Sequence, residues 1–267
     1  SLDALIMNQR GKGIFAGLPW FNDYWGRDTF ISLPGATLVQ GRFTDAKEIL
    51  RSFATFQQTD STSSNYGRIP NRVTTTDIGY NTADGTPRFI MMAREYVERS
   101  GDTAFVREIY PTVFRSIEGT LKYHADTLGF LTHGDQETWM DAAGPKGCWS
   151  ARGNRANDVQ ALWSQQLRAG IWFAVRLGDS TSARQWNEQL LLLEKNFLQH
   201  FLSKGIVADH LREDGSRNIS LRPNQIFLAP LLPERTRSHI LHSVVNNLTY
   251  EYGVASLSQN DENFHPY

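Results

Sequence analysis

The chain is poor in cysteine. Cys148 stands alone among 267 residues, so no intrachain disulfide can form and no cysteine-based zinc cluster can be built. It is also poor in net charge: 27 Lys and Arg against 28 Asp and Glu leave a formal charge of -1. That balance offers no electrostatic footprint for nucleic acid or an anionic membrane. No run approaches the roughly 18 apolar residues of a membrane-crossing helix. The opening SLDALIMNQRGKG lacks the basic start and continuous apolar stretch of an export signal. With so little cysteine, a cytoplasmic location is expected. A glycine-rich phosphate loop and a G-x-S-x-G elbow are both missing. His239 and His242 sit three apart with no acidic partner at helical spacing, and they read as a solvated face rather than a metal site. Neither a metal nor a cofactor is expected.

What is present is helical periodicity. Hydrophobic residues make up 40% and charged residues 21%, a balance that suits a packed core rather than disorder. Ser1 can cap a helix over 2–9. Ile31, Gly35, Leu38 and Val39 follow one helical face, with Pro34 kinking the helix or marking its first turn. Further helices are expected over 46–57, over 84–100, and from an Asp102 cap to about Thr127. The clearest is Asn157–Leu177, and others follow over 183–201, 223–231 and 233–248. A hairpin-like turn falls at Asp214-Gly215, and few segments look like strands. Short turns such as SGDTAF and GDSTSA alternate with long loops at 11–28, 58–83 and 129–156. Antiparallel helix pairs would carry such loops on one elaborated rim.

The loops hold the chemistry. GLPWFNDYWGRDTF puts Trp20 and Trp25 beside Arg27 and Asp28. Indole faces suit the C–H side of a sugar ring. A guanidinium and a carboxylate together match vicinal hydroxyls, which both donate and accept. The plainer alternative is that Asp28 caps a helix starting at Thr29 and Arg27 pairs with a nearby carboxylate. Asp84, at the end of the second loop, can cap the next helix or bind substrate from its N-terminus. The third loop holds Asp135, Glu137 and Asp141, with Trp139 two residues before Asp141. A carboxyl beside an indole in a partly dry site favours its neutral form, the state a general acid needs. Gln160 and Trp163 lie about one turn apart, facing either one cavity or, for Trp163, the core.

GLPWFNDYWGRDTFISLPG, GRIPNRV with YNTADG, ETWMDA and DVQALW together resemble the amylo-α-1,6-glucosidase domain of glycogen debranching enzymes. The resemblance runs from Leu2 to Tyr267 and extends to glucoamylase-, trehalase- and invertase-like glycosidases. It implies an all-α fold, an (α/α)6 toroid of antiparallel helix hairpins, as a single domain over 1–267. About eight or nine of the twelve helices are legible here, so the ring is expected to be incomplete and the chain to be a piece of a longer one. The resemblance implies inverting hydrolysis of α-1,6-linked glucose in glycogen or limit dextrin. Asp141 is then the general acid. Arg27 and Asp28 hold the terminal glucose, Trp25, Trp139 and Trp163 line the pocket, and Asp84 and Gln160 contribute to binding. It places the general base beyond Tyr267. The expected partner is an α-glucan or oligosaccharide, with self-association through the open ring edge. The alternative is a catalytically silent carbohydrate-binding or scaffold piece.

Overall fold

A computed structural model describes residues 2–265, so the expected Ser1 cap lies outside the described residues. Seven α-helices occur among the described residues: α1 (Gly26–Ala36), α2 (Phe43–Thr55), α3 (Gly85–Ser100), α4 (Thr103–Tyr123), α5 (Asn157–Leu177), α6 (Ser180–Phe201) and α7 (Glu234–Leu248). A long 3-10 segment, Pro223–Leu231, precedes α7. None of these helices is long and apolar enough to cross a membrane.

The fold is mainly helical but not all-α. Five small antiparallel sheets occur among the described residues. The largest is ordered β1 (Ile6–Asn8), β2 (Lys12–Gly17), β3 (Phe21–Trp25), β4 (Arg72–Val73) and β5 (Ile78–Gly79). Two-residue strands make up the rest: β6 (Ala143–Gly144), β7 (Gly147–Cys148), β8 (Arg155–Ala156), β9 (Leu202–Ser203), β10 (Ile206–Val207), β11 (His210–Leu211), β12 (Arg217–Asn218), β13 (Thr249–Tyr250) and β14 (Gly253–Val254). The Asp214-Gly215 turn joins β11 to β12 as a hairpin.

The helix expected over 2–9 is not formed. A single 3-10 turn, Leu2–Ala4, leads into β1, whose Ile6 pairs with Ile14. The cause is tertiary. The Tyr24 hydroxyl accepts the Gln9 amide at 2.8 Å and faces the carbonyls of Met7 and Gly11 at 2.8 and 2.9 Å, which fixes the hairpin. Gly13 makes room for that ring, because a Cβ there would lie 2.5 Å from Tyr24.

The face expected from Ile31, Gly35, Leu38 and Val39 forms only in part. Leu38 is buried, in a 3-10 turn (Leu38–Gln40) that follows α1, but Ile31, Gly35 and Val39 are exposed, while Thr29, Phe30, Leu33 and Ala36 are buried. The helix starts at Gly26, ahead of the anticipated start, so Pro34 sits in its last turn. Its missing N–H deprives the Phe30 carbonyl, four residues back, of its helical bond.

Two compact units divide the chain. The first holds Ser1–Ala125 and Gln165–Glu188; the second holds Asp126–Ser164 and Gln189–Tyr267. In the first, Phe30 meets Phe53 at 4.9 Å and Phe89 at 5.4 Å, edge to face, joining α1, α2 and α3. Phe105, Ile109, Val113 and Ile117 bury the stripe of α4, and the Asp102 carboxylate caps it by accepting the Phe105 amide at 3.2 Å. In the second, Phe130, Phe197 and Phe201 cluster, with Phe197 and Phe201 stacked at 4.4 Å. Here α7 buries Ile240, Val244 and Leu248 and leaves Leu241 and Val245 exposed.

Candidate functional site

In the first unit the chemistry gathers where β3 runs into α1. The amide of Gly26 bonds the Asn71 carbonyl at 2.6 Å. Only glycine fits there, since a Cβ would lie 2.4 Å from the Pro70 carbonyl oxygen. This close approach sets Arg27 against the second loop. Its backbone amide donates to Asn71 Oδ1 at 3.2 Å, and its guanidinium Nε donates to Asp84 Oδ2 at 2.6 Å.

Arg27 thus reaches a carboxylate 57 residues away, that of Asp84. Asp28 is exposed in the first turn of α1, where its charge suits the helix dipole. It does not cap the helix; Trp25 holds that position. Asp84 occupies the N-cap of α3 but makes no side-chain cap bond there. Its side chain is only 2% exposed. Asp84 Oδ1, Thr82 Oγ1 and Asn71 Nδ2 are all buried without a hydrogen-bond partner in the protein. Thr82 Oγ1 lies against the start of α3, because a Cβ on Gly85 would touch it at 3.0 Å. The result is a guanidinium, a carboxylate oxygen, an amide donor and a hydroxyl around two helix N-termini. Trp25 is half-buried beside it, with the Arg72 guanidinium 5.4 Å from its ring centre. Trp20 is 82% exposed at the β2–β3 turn.

In the second unit a buried ion network underlies the loop carrying Asp141. Arg152 is fully buried and donates to Asp209 through Nε at 2.9 Å and Nη2 at 2.8 Å, and to Asp158 through Nη1 at 2.6 Å. Asp209 is fully buried too, with His210 Nδ1 at 3.0 Å and Arg222 Nε at 3.7 Å. Burial alone would push its carboxyl up; the His210 bond and the Arg152 charge outweigh this and hold it below the usual carboxylate range. Two guanidinium and two carboxylate groups therefore balance in a dry interior. Trp139, 39% exposed, is tied to this interior by its indole N–H, which donates to Asn224 Oδ1 at 2.8 Å. Asp141 follows two residues later and is half-buried. Glu137 accepts the Gly134 amide at 2.8 Å and closes the turn before it.

Gln160 and Trp163 do not face an opening. Both are 0% exposed. The Gln160 amide exchanges two 2.8 Å bonds with the Leu131 backbone, and the Trp163 indole donates to the Gly129 carbonyl at 3.2 Å. These side chains pin the start of the third loop to α5, so each serves packing. Sequence reasoning passed over Thr82, Arg152, Asp209 and Asn224. Arg152, Asp209 and Asn224 act through partners far along the chain, and Thr82 Oγ1 has no partner in the protein, so no local motif marks them. His239 and His242 are exposed on α7.

His133 adds a pH dependence. Its Nε2 accepts the Ala156 amide at 2.8 Å, and its Nδ1 lies 2.9 Å from the Gly134 carbonyl. That pairing requires the neutral ring. Burial lowers its pKa below the ordinary value; the Gly134 carbonyl and the charges of Asp158 and Glu137 offset this in part, and Arg152 adds to it. The unfolded chain then binds the extra proton first. Stability is full above about pH 6.5 and declines as pH falls from there toward the folded pKa, by about 1.4 kcal/mol per unit of depression. Urea melts at pH 7 and pH 5 are expected to show this decline, and His133→Asn should flatten it. An equal slope in both proteins would exclude His133 as its source.

The amylo-alpha-1,6-glucosidase family profile matches residues 1–267. The glycogen debranching enzyme of Saccharomyces cerevisiae is 39% identical over 102 residues, which is 35% of this chain and 6% of that protein. A rhamnosidase from Klebsiella oxytoca, solved with rhamnose bound, matches with a TM-score of 0.62 at 19% identity, over 85% of this chain and 42% of its own. A family 78 rhamnosidase of Bacillus sp. GL1 matches with a TM-score of 0.67 at 16% identity, over 84% of this chain and 23% of its own. The chain thus spans a small fraction of the yeast enzyme and less than half of either rhamnosidase. At these identities the two structural matches show the fold.

Proposed function

From the premise that this chain belongs to the amylo-alpha-1,6-glucosidase family, we propose that it hydrolyses α-1,6-linked glucose at branch points of an α-glucan, with inversion at the anomeric carbon. The underlying fold on this reading is the (α/α)6 toroid, supported by the helix hairpins and by the likeness to the rhamnosidases.

One observation carries the sugar-binding half. Asp84 Oδ1, Thr82 Oγ1 and Asn71 Nδ2 are buried beside the Arg27–Asp84 pair with no protein partner. Leaving such groups unmade costs about 1–3 kcal/mol each. A diol that donates to the carboxylate and accepts from the amide would recover that cost. On this reading Arg27 and Asp84 orient the terminal glucose, and Asp28 on the exposed first turn of α1 and Trp25 complete its surroundings. Asp141 protonates the leaving glycosidic oxygen, and Trp139 offers the stacking face. Inversion also needs a base about 6.5–9.5 Å from the acid, with a water between them. That base is assigned outside the residues named here.

Thr82→Val tests the binding half cleanly. It removes a hydroxyl that bonds nothing in the protein, so thermal stability should hold or rise. Glucose affinity of the full-length protein should fall about two- to tenfold, the value of one hydrogen bond. Unchanged affinity would remove this cluster from the sugar site. The reaction itself is tested by NMR of products from limit dextrin: β-glucose should appear first. α-Glucose appearing first rejects inversion, and binding without release favours the silent carbohydrate-binding alternative.

A further inference from the structure

We propose that Asn224 is a positioning residue that aims the Trp139 indole, and that the buried Arg152–Asp209 pair acts through it. An indole N–H can only donate, and it reaches Asn224 Oδ1 at 2.8 Å. An ionised carboxylate can only accept, and Asp209 Oδ1 lies 3.3 Å from Asn224 Nδ2. The two neighbours therefore impose the same orientation on the amide. With Asp209 ionised, Asn224 must turn its NH2 inward and its carbonyl toward Trp139. Arg152 holds Asp209 by both carboxylate oxygens, and Asn224 and Asp209 are fully buried, so the chain of bonds has a rigid base.

Trp139 stands at the other end with 39% of its surface open. Its polar edge is tied inward, and an apolar face remains available. That suits stacking on a sugar ring, where the orientation of the plane decides which hydroxyls point at neighbouring groups. Met140 is drawn into the same arrangement, with its sulfur 3.5 Å from Asn224 Nδ2. The contact therefore holds the side chain of Met140, the neighbour of Asp141, to the same amide. Asn224 itself touches no substrate. This inference takes its substrate from the reading above, but the aiming of the indole does not depend on it.

A double-mutant cycle between Asn224→Ala and Trp139→Phe tests the idea in the full-length protein. Two readouts are used: KM for limit dextrin, and acrylamide quenching of the Trp139 emission, obtained as wild type minus Trp139→Phe. Asn224→Ala should raise KM about five- to tenfold, with kcat falling less, and make the Trp139 emission more quenchable. In the Trp139→Phe background, the same change should move KM less than twofold. Asn224→Ser, which keeps a donor for Asp209 but falls short of the indole, should repeat the pattern if the alanine variant folds poorly. Equal KM shifts with and without Trp139, or an unchanged Trp139 emission, would overturn the proposal. Should the wild type release no glucose, the hydrolase reading fails, while the quenching arm still decides whether Asn224 aims the indole.

Discussion

Asp141→Asn is expected to lower glucose release from limit dextrin by about 10²–10⁴-fold, the usual value of a positioned general acid. Asparagine has nearly the same shape but no proton to give at neutral pH. Sugar affinity should therefore be retained, because the proposed grip comes from Arg27 and Asp84. A glucosyl fluoride separates this role from a structural one. Fluoride leaves without protonation, so its release should suffer far less than that of a glycosidic oxygen. Equal losses on both substrates, or none, would remove Asp141 from the role of acid. Asp141 is half-buried in a loop whose turns are closed by Glu137 and by the Trp149 amide bonding the Ala142 carbonyl. A neutral isostere leaves those bonds in place.

Arg152→Leu carries the largest expected effect on stability. Arg152 makes five hydrogen bonds, to Asp158, to Asn157 and to the carboxylate and carbonyl of Asp209. Its removal leaves Asp158 and Asp209 as buried charges with a diminished counter-charge. Breaking one partner of such a pair costs about 3–5 kcal/mol. Neutralising Arg152 with both of its carboxylate partners is different, and leaves only Arg222, whose side chain is partly exposed. The triple variant Arg152→Leu, Asp158→Asn, Asp209→Asn should regain much of the loss, since replacing a buried ion pair by neutral groups is often close to neutral. Urea unfolding of the single and triple variants measures both. A triple variant no more stable than the single one would show that uncompensated charge is not the cause.

The helix boundaries that were legible share a feature: their apolar stripe is continuous and their ends are marked locally. α5 spans 157–177 as expected, and the Asp102 cap of α4 is in place. Elsewhere local signals pointed the wrong way. Residues 6–8 have a helix-compatible sequence, yet the Tyr24 hydroxyl and the pairing of Ile6 with Ile14 impose a strand. α1 begins at Gly26 rather than Thr29, and Ile31 points outward because Phe30 and Leu33 take the core side. The composition of the sugar-binding candidates could be read, but their pairing could not. Arg27 and Asp28 are neighbours in sequence, but only the fold brings Arg27 to Asp84. Gln160 and Trp163 lie on one helical turn as expected, yet helical spacing does not distinguish a cavity wall from a packed interior, and both are packed.

The sequence alone determined the mainly helical class and the family, because periodicity and short motifs are properties of neighbouring residues. Only the tertiary structure decided which charges are buried together, as with Arg152, Asp209 and Asn224, and which polar atoms near Asp84 lack a protein partner. Desolvation and hydrogen-bond satisfaction depend on residues brought close by folding, and no distance along the chain encodes them.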